Sequence, residues 1–285
     1  MTPNNNLNVL PFYTNIEEQN HRKEYAFGNV YTLISPTSKL LPFQIVREKQ
    51  STPSAVGVFQ LINFKTGATT NILSEMVAAG FALKLFADFD LLINYSALAF
   101  GSAFTMAPGQ YYVRITDAEN EWFSDVFTVV EDLSKYLKLE YWDSQNLEYS
   151  GGLIDYAHPY KNYCYLQTAI GKPEYPFEEE VENRDGFTFV EKQVSEKKYK
   201  FTFLAPEYLC DALRIVRMHD FVNIYTLGRK YSVENIIFTP DWQTQGDIAS
   251  VSVEFECDTV IKKIGAANAI PNGDFANDFD DDFTI

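Results

Sequence analysis

Residues 199–207 read Tyr199-Lys200-Phe201-Thr202-Phe203-Leu204-Ala205-Pro206-Glu207. Rings at every second position, with Lys200 and Thr202 between them, have the period of a strand with one buried face and one wet face. The alternation stops at Ala205-Pro206 and a helical period begins, because Leu209, Ala212, Leu213 and Val216 fall at i, i+3, i+4 and i+7. Proline suits the first helical position and Glu207 the positive end of the helix dipole, while Arg214 and Arg217 lie toward the other end. Strands are expected again over 221–227, 230–238 and 249–260, with breaks at Gly228 and Pro240-Asp241. Residues 132–263 therefore read as a β-domain with one packed helix.

Upstream of the quoted stretch, residues 175–192 have the form of a long hairpin with its tip at Asn183-Arg184-Asp185-Gly186. Glu178, Glu179 and Glu180 lie on its outgoing limb and Phe187 just past its tip. Residues 25–131 are a run of short strands between turn residues, the arrangement of a β-sandwich. One short helix is expected over 71–79, where Ile72, Leu73, Met76 and Val77 precede Gly80. The strands over 111–115 and 122–130 are joined by Thr116-Asp117-Ala118-Glu119-Asn120, a hairpin spacing. Residues 1–24 read as an arm carrying an apolar clip, Leu10-Pro11-Phe12-Tyr13, and residues 264–285 as an acidic Phe/Asp tail. The fold class is thus mainly β, with two β-sandwich-type domains, an extended arm and a tail.

Composition narrows the function classes. The 285 residues carry a formal charge of −16, which argues against binding DNA or RNA through phosphate neutralisation, and no sequence-specific nucleic-acid partner is expected. That charge is uneven: −1 in residues 1–24, −3 in 25–131, −7 in 132–263 and −5 in the last 22 residues. The 23 Phe, 18 Tyr and 3 Trp suit strands and subunit contacts. Cys164, Cys210 and Cys257 are odd in number and far apart, so they read as reduced thiols made in a reducing cytoplasm. No signal peptide and no membrane-inserting stretch is expected.

Chemistry is hard to find in this chain. His21, His158 and His219 lie far from one another in sequence, no paired cysteine motif is present, and neither a GxSxG elbow nor a phosphate loop occurs. Each histidine reads as a polar loop or capping residue, His219 at the end of the helix. The three adjacent glutamates alternate sides of a strand, which suits a solvated hairpin better than a catalytic pair. No catalytic, cofactor or metal site is therefore expected. The aromatics of 111–127 read first as core and only second as a sugar-binding platform. The tail, with Phe275, Phe279 and Phe283 spaced by four among five aspartates, reads first as a solvated segment. Its second reading is a peptide that orders on a basic, grooved partner, and its third a weak Ca²⁺ ligand.

Several segments together carry a resemblance. They are Leu10-Pro11-Phe12-Tyr13 with the polar run to His21-Arg22-Lys23, Pro108-Gly109-Gln110-Tyr111-Tyr112-Val113-Arg114-Ile115-Thr116-Asp117, Trp122-Phe123-Ser124-Asp125-Val126-Phe127, Ile170-Gly171-Lys172-Pro173, Leu204-Ala205-Pro206-Glu207-Tyr208-Leu209, and Tyr231-Ser232-Val233-Glu234-Asn235 with Asp241-Trp242. In these the chain resembles structural proteins of tailed phages and prophages of Bacteroidetes, over all but the Phe/Asp tail. The second domain also resembles the tube and hub modules of phage tails, a likeness at the level of fold.

The resemblance implies a virion protein of the tail or baseplate, assembled in the bacterial cytoplasm, that forms a ring with copies of itself and contacts other tail proteins. It brings no catalytic residues. Alternatives are a carbohydrate-binding or host-adhesion module, with a host-surface glycan as partner, a head-to-tail connector ring, and, third in class, an enzyme using its acidic clusters. The residues expected at subunit contacts are Leu10, Phe12, Tyr13, Glu178, Glu179, Glu180, Phe187, Phe275, Phe279 and Phe283.

Overall fold

The computed structural model describes residues 7–15, 31–95, 100, 104–150, 152–156, 160–184, 186–242 and 248–263, and over these the protein is mainly β. The larger sheet of the first half is built around β8 (Gly109–Thr116). Along one edge of β8 lies β4 (Val58–Asn63), with β5 (Thr69–Asn71) outside it. The other edge is shared by β9 (Glu121–Ser124) and β10 (Phe127–Val130). The sequence pattern presents these two as one strand. They part at Asp125-Val126, where Val113 N donates to Ser124 Oγ at 2.8 Å and Asp125 N donates to the Pro11 carbonyl at 3.0 Å. Beyond them β1 (Phe12–Tyr13) pairs antiparallel with β9, and β2 (Leu33–Pro36) pairs parallel with β10.

A three-stranded sheet, β3 (Phe43–Glu48), β7 (Phe89–Asn94) and β6 (Phe81–Leu85), packs against it. Rings fill the interface: Phe59 stands edge-on to Phe81 with centroids 5.2 Å apart, and Phe43 lies 4.5 Å from Phe12. The expected helix spans Leu73–Ala78, buries Met76 and stops at Gly80, whose φ of +101° favours glycine. Strand β3 has no period-two signal, because five of its six residues are buried, Gln44 and Arg47 among them.

In the second half β11 (Leu137–Trp142) lies between β14 (Asn162–Leu166) and β17 (Phe221–Thr226), with β18 (Arg229–Val233) beyond β17. A small hairpin joins β12 (Leu147–Tyr149) to β13 (Gly152–Ile154). The alternating aromatic stretch lies in β16 (Phe187–Pro206), a strand of 20 residues. One side of β16 pairs with β15 (Phe177–Arg184) and the other with β20 (Ile248–Lys263), which in turn pairs with β19 (Asn235–Asp241). Tyr199, Phe201 and Phe203 are buried and Lys200 and Thr202 exposed, as the period requires.

β16 passes without a loop into the helix Glu207–Leu213, and Pro206 is its N-cap, one position before the first turn. Leu209, Ala212, Leu213 and Val216 are all buried, but the α-helix ends at Leu213 and Val216 lies in a single 3₁₀ turn, Val216–Met218. β-Branched Ile215 and Val216 are weak helix formers, which favours the early stop. Cys164 and Cys257 are buried and Cys210 is half-buried, all three as free thiols, and burial pushes Cys164 up to about 12 and Cys257 up to about 11.

The apolar core continues from Val9 and Val129 into Leu137, Tyr163 and Cys257. A second cluster joins Val46, Leu91 and Ile93 of the first half to Ile154, Tyr156 and Ile215 of the second. Polar contacts cross the same seam. The Gln44 amide exchanges two 2.8 Å bonds with the Asp155 backbone, Lys84 pairs with the Asp155 carboxylate, and the Tyr163 hydroxyl donates to the Leu40 carbonyl at 3.0 Å. At Gly152 a Cβ would come within 2.8 Å of Val46 Cγ2, so glycine permits β13 to close on β3. These contacts fasten the two halves together.

Candidate interaction surfaces

Period-two burial in β16 ends at Tyr199, and in β20 it ends at Cys257. Past those points β15, β16 and β20 run on as a three-stranded ribbon with neither face fully covered. From Tyr199 to Phe187 it projects about 40 Å at the usual rise per residue. The register assigns its faces. Phe177 and Val260 flank Ser195 on one face, and Val194 and Ile261 share the opposite face with Glu178. Phe177, Val181, Phe187, Val260 and Ile261 are each at least half exposed. Asp258, at φ +56°, sits in the bulge opposite Glu196, where the ribbon departs from the body. β15 ends the sheet on one side, and past Glu256 the outer edge of β20 has no partner strand among the described residues. Uncovered apolar faces and open strand edges together mark a place for another chain.

The residues expected at subunit contacts divide three ways. Glu178, Glu179, Glu180 and Phe187 lie on the ribbon and are exposed. The glutamates alternate as expected: Glu179 accepts from Gln193 Nε2 at 2.7 Å, and Glu180 pairs with Lys192 at 3.4 Å. Leu10, Phe12 and Tyr13 correct the expectation of a strap reaching a neighbour, since all three are buried in their own chain. β1 completes the sheet edge at β9, and Asn8 clamps the Gln44 backbone with bonds of 2.7 and 2.8 Å. Phe275, Phe279 and Phe283 lie outside the described residues, as do His21 and His158. Trp122, Phe123 and Phe127, read as core before platform, are buried.

A second surface lies at one open end of the second half, where Ser134-Lys135, the segment 168–175, Lys197 and Tyr199 of β16, and the β17–β18 turn surround a groove of about 680 Å³. Its lining holds Lys135, Lys172, Lys197 and Arg229 together with Tyr175, Tyr199, Tyr231, Ile170 and Leu227, and no carboxylate. Lys197 pairs with Asp258 at 3.6 Å, whereas Lys135, Lys172 and Arg229 form no ion pair among the described residues. In a chain of net charge −16 this is a local inversion of sign. Leu227 at the rim is 85% exposed and held at φ +46°, a left-handed conformation in which a leucine is strained. No signal in the sequence pointed to this groove, because four separate segments contribute to it.

Two buried polar clusters serve the body. Arg47 donates to Asp117 at 2.5 Å, to Asp90 at 3.3 Å and to the Ser54 carbonyl at 3.1 Å, and Lys49 adds a 3.0 Å bond to Asp90, so two cations balance two buried carboxylates. Asp117 also accepts from the amides of Glu119 and Asn120 and so shapes the β8–β9 turn. The second cluster holds His219, expected as a loop or capping residue at the helix end and buried in the structure. His219 Nδ1 donates to the Ile215 carbonyl at 2.8 Å, Tyr156 Oη lies 2.6 Å from Nε2, and Asn162 and Tyr160 extend the chain of bonds. Burial lowers the His219 pKa, and the neutral ring fits these bonds. Among the described residues no group of three or more His, Cys, Asp or Glu is placed to hold a metal, and no helix is long and apolar enough to cross a membrane. No protein-family model matches the chain, and no curated protein matches it in sequence.

Proposed function

We propose that this chain is a non-enzymatic structural subunit of a tailed-phage virion, in the tail or baseplate, that assembles with copies of itself and with other tail proteins. The observation that carries the proposal is the ribbon of β15, β16 and β20, which leaves apolar side chains uncovered on both faces. The resemblance in sequence supplies the setting. A ribbon on one side of a subunit that docks on a different surface of its neighbour makes a heterologous contact, and such contacts close into a ring when the rotation permits. The acidic limb at Glu178–Glu180 would govern how the contact is oriented, since charge selects register more than it adds affinity.

Mass photometry and negative-stain imaging of the full chain test this proposal. Ring-shaped oligomers are expected, and the triple variant Phe177→Glu, Phe187→Glu, Ile261→Glu should revert to a monomer that still unfolds cooperatively, without the stability that assembly adds. A wild-type chain that stays monomeric as its concentration is raised, or a variant that assembles as before, would overturn it.

A further inference from the structure

The cationic groove and the acidic tail are two features of opposite sign in one chain, and neither has a role in the assembly just proposed. We propose that the Phe/Asp segment 274–283 docks into the groove of its own copy, covering Lys135, Lys172, Lys197 and Arg229.

Charge and ring chemistry match on the two sides. The segment carries five aspartates with Phe275, Phe279 and Phe283 between them. The groove offers four cations with tyrosines, Ile170 and Leu227. Carboxylates can meet Lys and Arg as charge-assisted hydrogen bonds, while Phe rings pack against Tyr faces or beneath the cations. A nucleic-acid strand is a poorer occupant, because the phosphates beyond four cations would face a surface of net negative charge.

Chain length favours the same copy. β20 ends at Lys263, opposite Lys192, while Lys197 of the groove lies opposite Cys257, six residues back. That is about 20 Å along the ribbon. The ten residues 264–273 have a root-mean-square span of about 17 Å as a flexible linker. A linker matched to its span gives an effective concentration in the millimolar range, well above what a neighbouring copy supplies in dilute solution. Leu227 fits the same picture: an apolar side chain held exposed at the rim in a strained conformation has a use if a ring packs on it.

Zero-length carbodiimide cross-linking of the full chain, followed by mass spectrometry, tests the proposal. The reagent activates an aspartate carboxylate, and a lysine amine displaces the urea leaving group to form an amide, so only groups in contact are joined. Tail aspartates are expected to link to Lys135, Lys172 and Lys197 in preference to exposed Lys65. In an equal mixture of unlabelled and ¹⁵N-labelled protein, each link should join peptides of one isotope. Links at Lys135 and Lys197 should fall roughly tenfold in the double variant Lys172→Glu, Arg229→Glu. Both side chains are exposed, so the fold tolerates the change. Tail links spread evenly over surface lysines, links between isotopically different copies, or yields indifferent to the double variant would each overturn the proposal. Oligomer mass is read separately, so this inference and the virion proposal can fail independently.

Discussion

The N-terminal clip and the β-ribbon are both segments rich in large apolar side chains, and both suggest docking, yet the structure treats them in opposite ways. Leu10 and Phe12 are almost wholly enclosed, whereas Phe177 and Phe187 are more than half exposed. The difference lies in what each segment meets. The clip finds the open edge of β9 and the Gln44 backbone within its own fold. The ribbon outruns its body, because β16 and β20 continue past the last residues that a facing sheet can cover. Apolar content says that a segment will be covered, and the geometry of its neighbours decides by which chain.

The comparison can be broken most forcefully at the ion pairs. Arg47→Ala leaves Asp117 buried without a cation and Asp90 with Lys49 alone, which should cost about 3–5 kcal/mol. The counterpart on the exposed face of β16, Lys200→Ala, removes pairs with Glu174 and Glu254 that are open to solvent and screened by it, and should leave stability close to wild type. Denaturant unfolding of both variants checks this, and comparable losses would show that the outer pairs are part of the core. For the apolar residues, Phe12→Ala should cost about 3–5 kcal/mol by opening a cavity beside Phe43. Phe187→Ala should stay within about 0.5 kcal/mol of wild type, provided both are measured as monomers. A destabilised Phe187→Ala monomer would mean that the ribbon folds back on its own body.

What the sequence disclosed follows the same division. The alternation at Tyr199, Phe201 and Phe203, the hairpin tip at 183–186 and the stop at Gly80 were legible because each rests on neighbours close in the chain. β3 was not legible, since burial on both faces erases the period, and Arg47 in its middle looks like a surface charge until Asp90 and Asp117 are brought to it. The hairpin limb bearing Glu178–Glu180 and Phe187 was legible as a projection. Its third strand was not, because Val260 and Ile261 continue a strand pattern that gives no sign of where the body ends. The groove was invisible for a related reason: Lys135, Lys172, Lys197 and Arg229 are brought together only by tertiary structure.

His219 sharpens the contrast through pH. Its pKa is lowered in the folded protein by burial, with the Ile215 carbonyl and the charges of Asp143 and Asp220 opposing that shift. The unfolded chain therefore binds a proton more readily than the folded one. This contribution to stability is fully present above the unfolded value near 6.5, and falls as pH drops through it. It levels off below the folded value. His219→Gln should flatten the stability profile in that window, and a wild-type profile that already matches the variant's would show that the folded ring takes up a proton as readily as the unfolded chain does.

The smallest expected effect concerns Leu227, where local strain and surface exposure coincide. With Gly228 at φ +74°, it forms a two-residue β17–β18 turn in which both central positions are left-handed, and asparagine is the residue that such a turn prefers. Leu227→Asn should therefore stabilise the chain by about 1 kcal/mol, since a left-handed residue with a branched side chain costs about 1–2 kcal/mol. If the leucine is retained for contact with a tail ring, the same substitution should lower tail-to-groove cross-linking while raising the melting temperature. A variant that gains stability and keeps full cross-linking would mean that the rim contributes no apolar contact and that the cations alone hold the tail. A variant that gains no stability would mean that Leu227 is already packed in the wild type, which would place the rim with the clip, among the surfaces that the chain covers for itself.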